Sequence, residues 1–146
     1  MKADIEIAVA ENQELPSAQA FYESRGYGGA PIVSTDFVVI AKHEDKIVGI
    51  GRLSQEQDLL WLRGMQVSPQ LQRQGIGGQI LRRLDSEIGG RWCCCIPYSH
   101  LIEFYRRARF EQAHGNIPPA LSLRLSDYLE RGLSVVAMVR KTGVTA

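Results

Sequence analysis

Long apolar runs are missing from this chain, as are the side-chain sets that mark disulfide or metal chemistry. No uninterrupted apolar stretch reaches the roughly 20 residues a membrane-spanning helix requires. The opening Met1-Lys2-Ala3-Asp4-Ile5-Glu6 has no apolar core of the secretory type, so a soluble, cytoplasmic protein is expected. Cysteine is scarce, and the three present are consecutive, Cys93-Cys94-Cys95. An odd number without framework spacing argues against a disulfide scaffold and fits a reducing compartment. His43, His100 and His114 form no zinc-type spacing with the cysteines, so no metal is expected. Charge nearly cancels, at +1 overall, which leaves no strong field for nucleic acid or a membrane surface.

What remains is an ordinary globular composition. The 146 residues are 45% hydrophobic, enough for one core, and a single domain over 1–146 is expected. Alternation of Ile5, Ile7 and Val9 predicts a strand over 4–10. Leu15, Ala18, Phe21 and Tyr22 share a face of a predicted helix over 14–25. Strands follow over 36–42, 47–54 and 59–67, the first two as a hairpin about the polar turn His43-Glu44-Asp45-Lys46. Ile76, Ile80, Leu84 and Ile88 recur at helical spacing over 75–88, and Gly89-Gly90 closes that helix. A strand over 91–96, a short helix over 99–107 and a strand over 110–113 come next. Pro118-Pro119 opens a helix to about Arg131, with Leu121, Leu125, Tyr128 and Leu129 on one face, and an apolar strand over 133–140 ends the pattern. The order predicts an α/β or α+β layer around a partly antiparallel sheet.

The most informative stretch runs from Val67-Ser68-Pro69 through Gln72-Arg73-Gln74-Gly75-Ile76-Gly77-Gly78. A strand ends, a polar turn follows, and a glycine-rich segment opens a helix. The first N–H groups of a helix have no intrahelical partner and point along the positive end of its dipole. A diphosphate suits such a site, Gly75 and Gly77 remove Cβ atoms from its approach, and Arg73 can add charge at the rim. A Walker loop would need Gly-Lys-Ser/Thr, and a dinucleotide fingerprint would need Gly or Ala where Ile80 stands. Glycines that merely pack closely are the plain alternative.

On these residues the chain resembles the GCN5-related N-acetyltransferase (GNAT) superfamily. Gln72-Arg73-Gln74-Gly75-Ile76-Gly77 fits that family's pyrophosphate loop, Gln/Arg-x-x-Gly-x-Gly/Ala, after a strand ending near Val-x-Pro. Leu101 to Phe110 is similar to its Ala-x-x-Phe-Tyr-x-x-x-Gly-Phe helix, with Leu101 for Ala and Arg109 for Gly. The resemblance implies a mixed, mostly antiparallel sheet of about seven strands flanked by helices, with a splayed strand pair holding the coenzyme. It implies acetyl-CoA as cosubstrate, bound by the 72–78 loop and by Met65, Gln66 and Val67. It implies acyl transfer to a small-molecule or protein amine by direct attack, and it is compatible with a homodimer.

Breaking a thioester in a dry site calls for an acid to protonate the leaving sulfur; given the resemblance, Tyr105 is the candidate, its phenol being protonated at neutral pH, while a core tyrosine whose hydroxyl meets a carbonyl is the plain alternative. A backbone N–H near Met65 to Val67 would meet the oxyanion. No base is assigned: residues 59–67 contain no acid, and Glu56, Asp58 and Glu103 read as surface charges. The cysteines read as small buried residues, and Arg106, Arg107 and Arg109 as a solvated face or a grip on a nucleotide phosphate. Phe21-Tyr22-Glu23-Ser24-Arg25-Gly26-Tyr27 imitates the Phe-Tyr pattern without a preceding glycine loop; its aromatics belong to the core or touch substrate. Two rivals stand beside the enzyme: an inactive acyl-CoA-binding module, and an unrelated nucleotide-binding domain.

Overall fold

A computed structural model describes residues 4–143. Its strands are β1 (Glu6–Val9), β2 (Phe37–His43), β3 (Lys46–Glu56), β4 (Leu59–Val67), β5 (Cys93–Cys95), β6 (Glu111–Gln112) and β7 (Met138–Arg140). Its helices are α1 (Leu15–Ser24), α2 (Ile76–Ile88), α3 (Ile102–Arg106) and α4 (Pro119–Glu130). The strands follow the order β1-β2-β3-β4-β5-β7-β6 in a seven-stranded sheet. Pairing is antiparallel at β1–β2, β2–β3, β5–β7 and β6–β7, and parallel at β4–β5. The expected mixed, mostly antiparallel sheet flanked by helices is therefore present.

Two-residue turns make the meander. Glu44 and Asp45 take φ 52° and 65° between β2 and β3, and Gln57 and Asp58 take φ 55° and 61° between β3 and β4. Two successive left-handed residues match the right-handed twist of the strands they join. The β4–β5 connection is parallel, as a crossover through α2 requires.

The chain divides into two compact units, Met1–Ser54 with Arg63–Ser86, and Gln55–Leu62 with Glu87–Ala146. In the first, Ala18 and Tyr22 of α1 pack with Val38, Ile40 and Ile50. Ile76, Ile80 and Leu84 of the α2 stripe are fully buried there, as their spacing predicts, and Ile88, which falls in the second unit, is also buried, each side chain contributing roughly 1.5–3 kcal/mol. β3 makes room for the stripe: a Cβ on Gly49 would lie 3.0 Å from Ile80, and one on Gly51 3.0 Å from Leu84. In the second unit, Leu121 of α4 packs with Trp61, Cys94, Ala137 and Val139. Arg140 is buried there, its Nε donating to the Ala108 carbonyl at 3.1 Å and its Nη1 to the Gly89 carbonyl.

Element ends depart from expectation where partners give out. β7 is three residues long rather than eight, because the backbone before it divides its bonds. Val136 N–H goes to the Pro97 carbonyl at 3.0 Å, while the Ala137 carbonyl accepts from Ala113 N–H at 2.9 Å. Pro97 has no N–H to return, so no regular ladder forms beyond the single Tyr98–Val135 bridge. Val9 (37% exposed) and Leu129 (49%) were expected on buried faces and lie outside the core. Val9 sits on the edge strand β1, which has one neighbour.

Candidate active site

β4 delivers the chain to the glycine loop. Ser68 N–H closes onto the Val48 carbonyl at 2.8 Å, and a 3-10 turn at Pro69–Leu71 follows. Gln72 is extended, and its side-chain amide donates back to the Val67 carbonyl at 3.0 Å, fastening the loop to the end of β4. Arg73 and Gly75 then adopt φ 68° and 81°. Gly75 needs its missing Cβ for that backbone, and the space a Cβ would enter is open to 4 Å.

The first α2 bond in this turn runs from Gln79 N–H to the Gly75 carbonyl at 3.1 Å. The N–H groups of Ile76, Gly77 and Gly78 precede it and have no intrahelical acceptor. Ile76 gives its side chain to the core, so only its backbone faces the loop. Gln72, Arg73 and Gly75 are exposed; Gln74, Gly77 and Gly78 are half-buried. Amides without intrahelical acceptors, an open approach over Gly75 and an exposed Arg73 fit a diphosphate. The first unit thus brings Met65, Gln66 and Val67 together with residues 72–78 through one continuous backbone. Met65, Gln66 and Val67 are half-buried. The registered β4–β5 pairing is confined to Trp61 and Cys94, upstream of them.

One feature of β4 was not singled out from the sequence. Gly64, just before Met65, takes φ 71° inside the strand. A Cβ there would collide with the phenol of Tyr22, whose hydroxyl donates to the Gly64 carbonyl at 2.8 Å. An isolated glycine in a strand pattern was the available signal, since it marks a bulge or a close approach. Tyr22 itself is fully buried. The Phe21-Tyr22 segment therefore belongs to the core.

Tyr105 stands on α3 in the second unit, 6% exposed, with edge-on contacts to Phe104 at 5.0 Å and Phe110 at 6.3 Å. Its hydroxyl has no hydrogen-bond partner among the described residues. Burial first, then the Cys95 thiol beside it, push the phenol above its ordinary pKa of 10.0. Both forces disfavour phenolate, so the group carries its proton throughout the neutral range. The turn that follows is kept despite the substitution at its end. Arg109 adopts φ 70°, the left-handed conformation that glycine takes in the family pattern, and Phe110 N–H closes onto the Tyr105 carbonyl at 3.3 Å. An arginine holds that shape at about 1–2 kcal/mol.

The acids near these elements are engaged or exposed. Glu56 forms an ion pair with Arg124, which also lies 4.4 Å over the Trp61 ring. Glu103 pairs with Arg106 at 2.8 Å, and Asp58 is an exposed turn residue. Arg107 stacks over Phe104 at 5.6 Å. All three cysteines are free and buried, and burial pushes Cys93 up to about 12. They are protonated, unreactive thiols. His100 and His114 are exposed, and no group of metal-ligand type is assembled among the described residues. Nor is any described helix long and apolar enough to cross a membrane.

Residues 34–112, more than half of the chain, match the family model described as acetyltransferase (GNAT) domain. That span includes the glycine loop and Tyr105. No curated protein sequence matches. Among solved structures, the ribosomal-protein-S18-alanine N-acetyltransferase of Escherichia coli is similar with a TM-score of 0.69 at 16% identity, over 98% of this chain and 97% of that one. A GNAT-family acetyltransferase of Streptococcus pneumoniae gives a TM-score of 0.71 at 14% identity, over 96% and 100%. N-acetylglutamate synthase of Neisseria gonorrhoeae, solved with coenzyme A and N-acetyl-glutamate, gives 0.63 at 21% identity; it covers 99% of this chain, which spans 36% of that longer one. At these identities the likeness is one of fold.

Proposed function

The chain belongs to the GNAT acetyltransferase superfamily, and on that premise we propose that it transfers an acetyl group from acetyl-CoA to an amine in a ternary complex, as one N-acetyltransferase domain over residues 1–146. The observation that carries this reading is the helix start at Gly75, with amides lacking intrahelical acceptors and an open approach. The amides of Gln74 to Gly78 hold the coenzyme diphosphate, Arg73 adds charge at the rim, and Met65 to Val67 pair with the pantetheine arm.

The amine nitrogen bonds to the thioester carbonyl carbon, a backbone N–H of Met65 to Val67 meets the oxyanion, and the C–S bond breaks. Tyr105 gives its proton to the departing sulfur. Its raised pKa keeps the phenol protonated throughout the neutral range, so the proton is present when the sulfur departs. The proton released by the new ammonium passes through water and restores the Tyr105 phenol, since Glu56 and Glu103 are bound in ion pairs. The acceptor is a small-molecule or protein amine. The three free, buried thiols support a cytoplasmic setting.

Titration with acetyl-CoA, CoA and ATP by calorimetry, followed by thiol release with a panel of amines, tests the proposal. Tight binding of both coenzyme forms with amine-dependent release is expected. Coenzyme binding without release for any amine would leave an inactive binding module, and preference for ATP would overturn the reading.

A further inference from the structure

We infer that Tyr22 is a positioning residue for acyl transfer, its buried hydroxyl holding the left-handed turn at Gly64 from which Met65 to Val67 run. The inference rests on the reading above, in which those residues meet the acyl arm. The contact is built from both sides. Gly64 supplies the backbone shape and the space, since a Cβ there would overlap the Tyr22 hydroxyl. Tyr22 supplies the donor, at 2.8 Å from a carbonyl turned out of regular strand geometry. A core position that needed only volume would be served by phenylalanine.

The ring is then clamped. Tyr27 stacks on it at 4.3 Å and 25°. The guanidinium of Arg52 lies 5.3 Å above it, fully buried. Arg52 is fixed in turn by its ion pair with Asp36 at 2.9 Å and by the Ala30 carbonyl. A buried, paired arginine is expensive to desolvate and gains its place here by orienting what it covers. The chain Asp36, Arg52, Tyr22, Gly64 thus runs from the loop before β2 to the residue preceding Met65. Each member is within the first unit.

The test is Tyr22→Phe in the full chain, with calorimetric CoA binding used to count competent molecules. Thiol release from acetyl-CoA is measured with the most reactive amine of a panel containing spermidine, lysine, an N-terminal alanyl peptide and glutamate. Turnover per coenzyme-binding molecule is expected to fall about tenfold or more, because small misplacements of reacting groups have effects of that order. The CoA Kd should change by a smaller factor than turnover, since the 72–78 loop that holds the diphosphate is untouched and only the Met65 to Val67 contacts shift. Asp36→Asn, which loosens the clamp without altering the ring, should give the same signature more weakly. Turnover equal to wild type in Tyr22→Phe overturns the inference and leaves the proposed function standing. Parallel losses in affinity, turnover and melting temperature also overturn it, by showing general loosening. Wild-type protein without thiol release would remove the acyl-transfer reading and this inference together.

Discussion

In the first unit the groups assigned to the coenzyme are backbone amides, presented by a loop whose shape comes from left-handed residues, Arg73 at φ 68° and Gly75 at 81°. In the second unit the assigned group is one side chain, the phenol of Tyr105, 6% exposed and packed edge-on against Phe104 and Phe110. In the proposed reading the loop binds by backbone geometry, and the enclosed tyrosine acts through a proton whose loss burial opposes. Binding and chemistry should therefore be separable by mutation.

Tyr105→Phe gives the largest expected effect. Turnover should fall by about 10²–10⁴-fold, the range for removing a general acid, while CoA affinity stays near wild type. Steady-state kinetics beside calorimetry checks this, and equal turnover would strip Tyr105 of the acid role. Alkaline stability comes next and concerns the second unit's core. Burial raises the folded pKa of all three thiols, with Cys93 at about 12. Stability is then full below pH 9, the ordinary value, and falls as pH rises toward 12, because unfolded thiols ionise first. Between pH 9 and 10 the loss should be roughly 1 kcal/mol per thiol and about 3 kcal/mol in all, read from urea midpoints. A flat profile would mean that the thiols reach water.

Gly75→Ala tests the other side of the comparison. The added methyl meets open space, but φ 81° strains any residue with a Cβ. The strain is about 1–2 kcal/mol, so CoA affinity should drop about tenfold while saturated turnover holds. A large loss of saturated turnover would show that loop and chemistry are not separable. Arg73→Gly should have the smallest effect. It relieves a left-handed arginine and removes one rim charge, so melting temperature should hold or rise while CoA affinity falls a few-fold, less so in high salt. Unchanged affinity would remove Arg73 from the site.

Most of the fold was legible because its patterns are local. The α2 stripe from Ile76 to Ile88, the Glu44-Asp45 turn and the glycine loop each announce themselves within a few residues. The length of β7 did not, because it depends on Pro97, some forty residues away, lacking an N–H. The site divided in the same way. A proposed backbone site is written in glycines, so residues 72–78 could be nominated from the sequence alone. Tyr105 could be named only through its resemblance to a family pattern, since a tyrosine's burial is a property of the folded chain. Arg109, a departure from that pattern, turned out to take the same backbone shape as glycine. The Tyr22–Gly64 contact spans 42 positions, and only the stray glycine in β4 hinted at it.

The central claim is that the helix start near Gly75 grips a diphosphate. A crystal structure of the protein with acetyl-CoA tests it most directly. Diphosphate oxygens should lie at about 2.7–3.2 Å from the amide nitrogens of residues 74–78, the range for N–H donors. A diphosphate bound elsewhere, with those amides facing water or protein, would contradict the account.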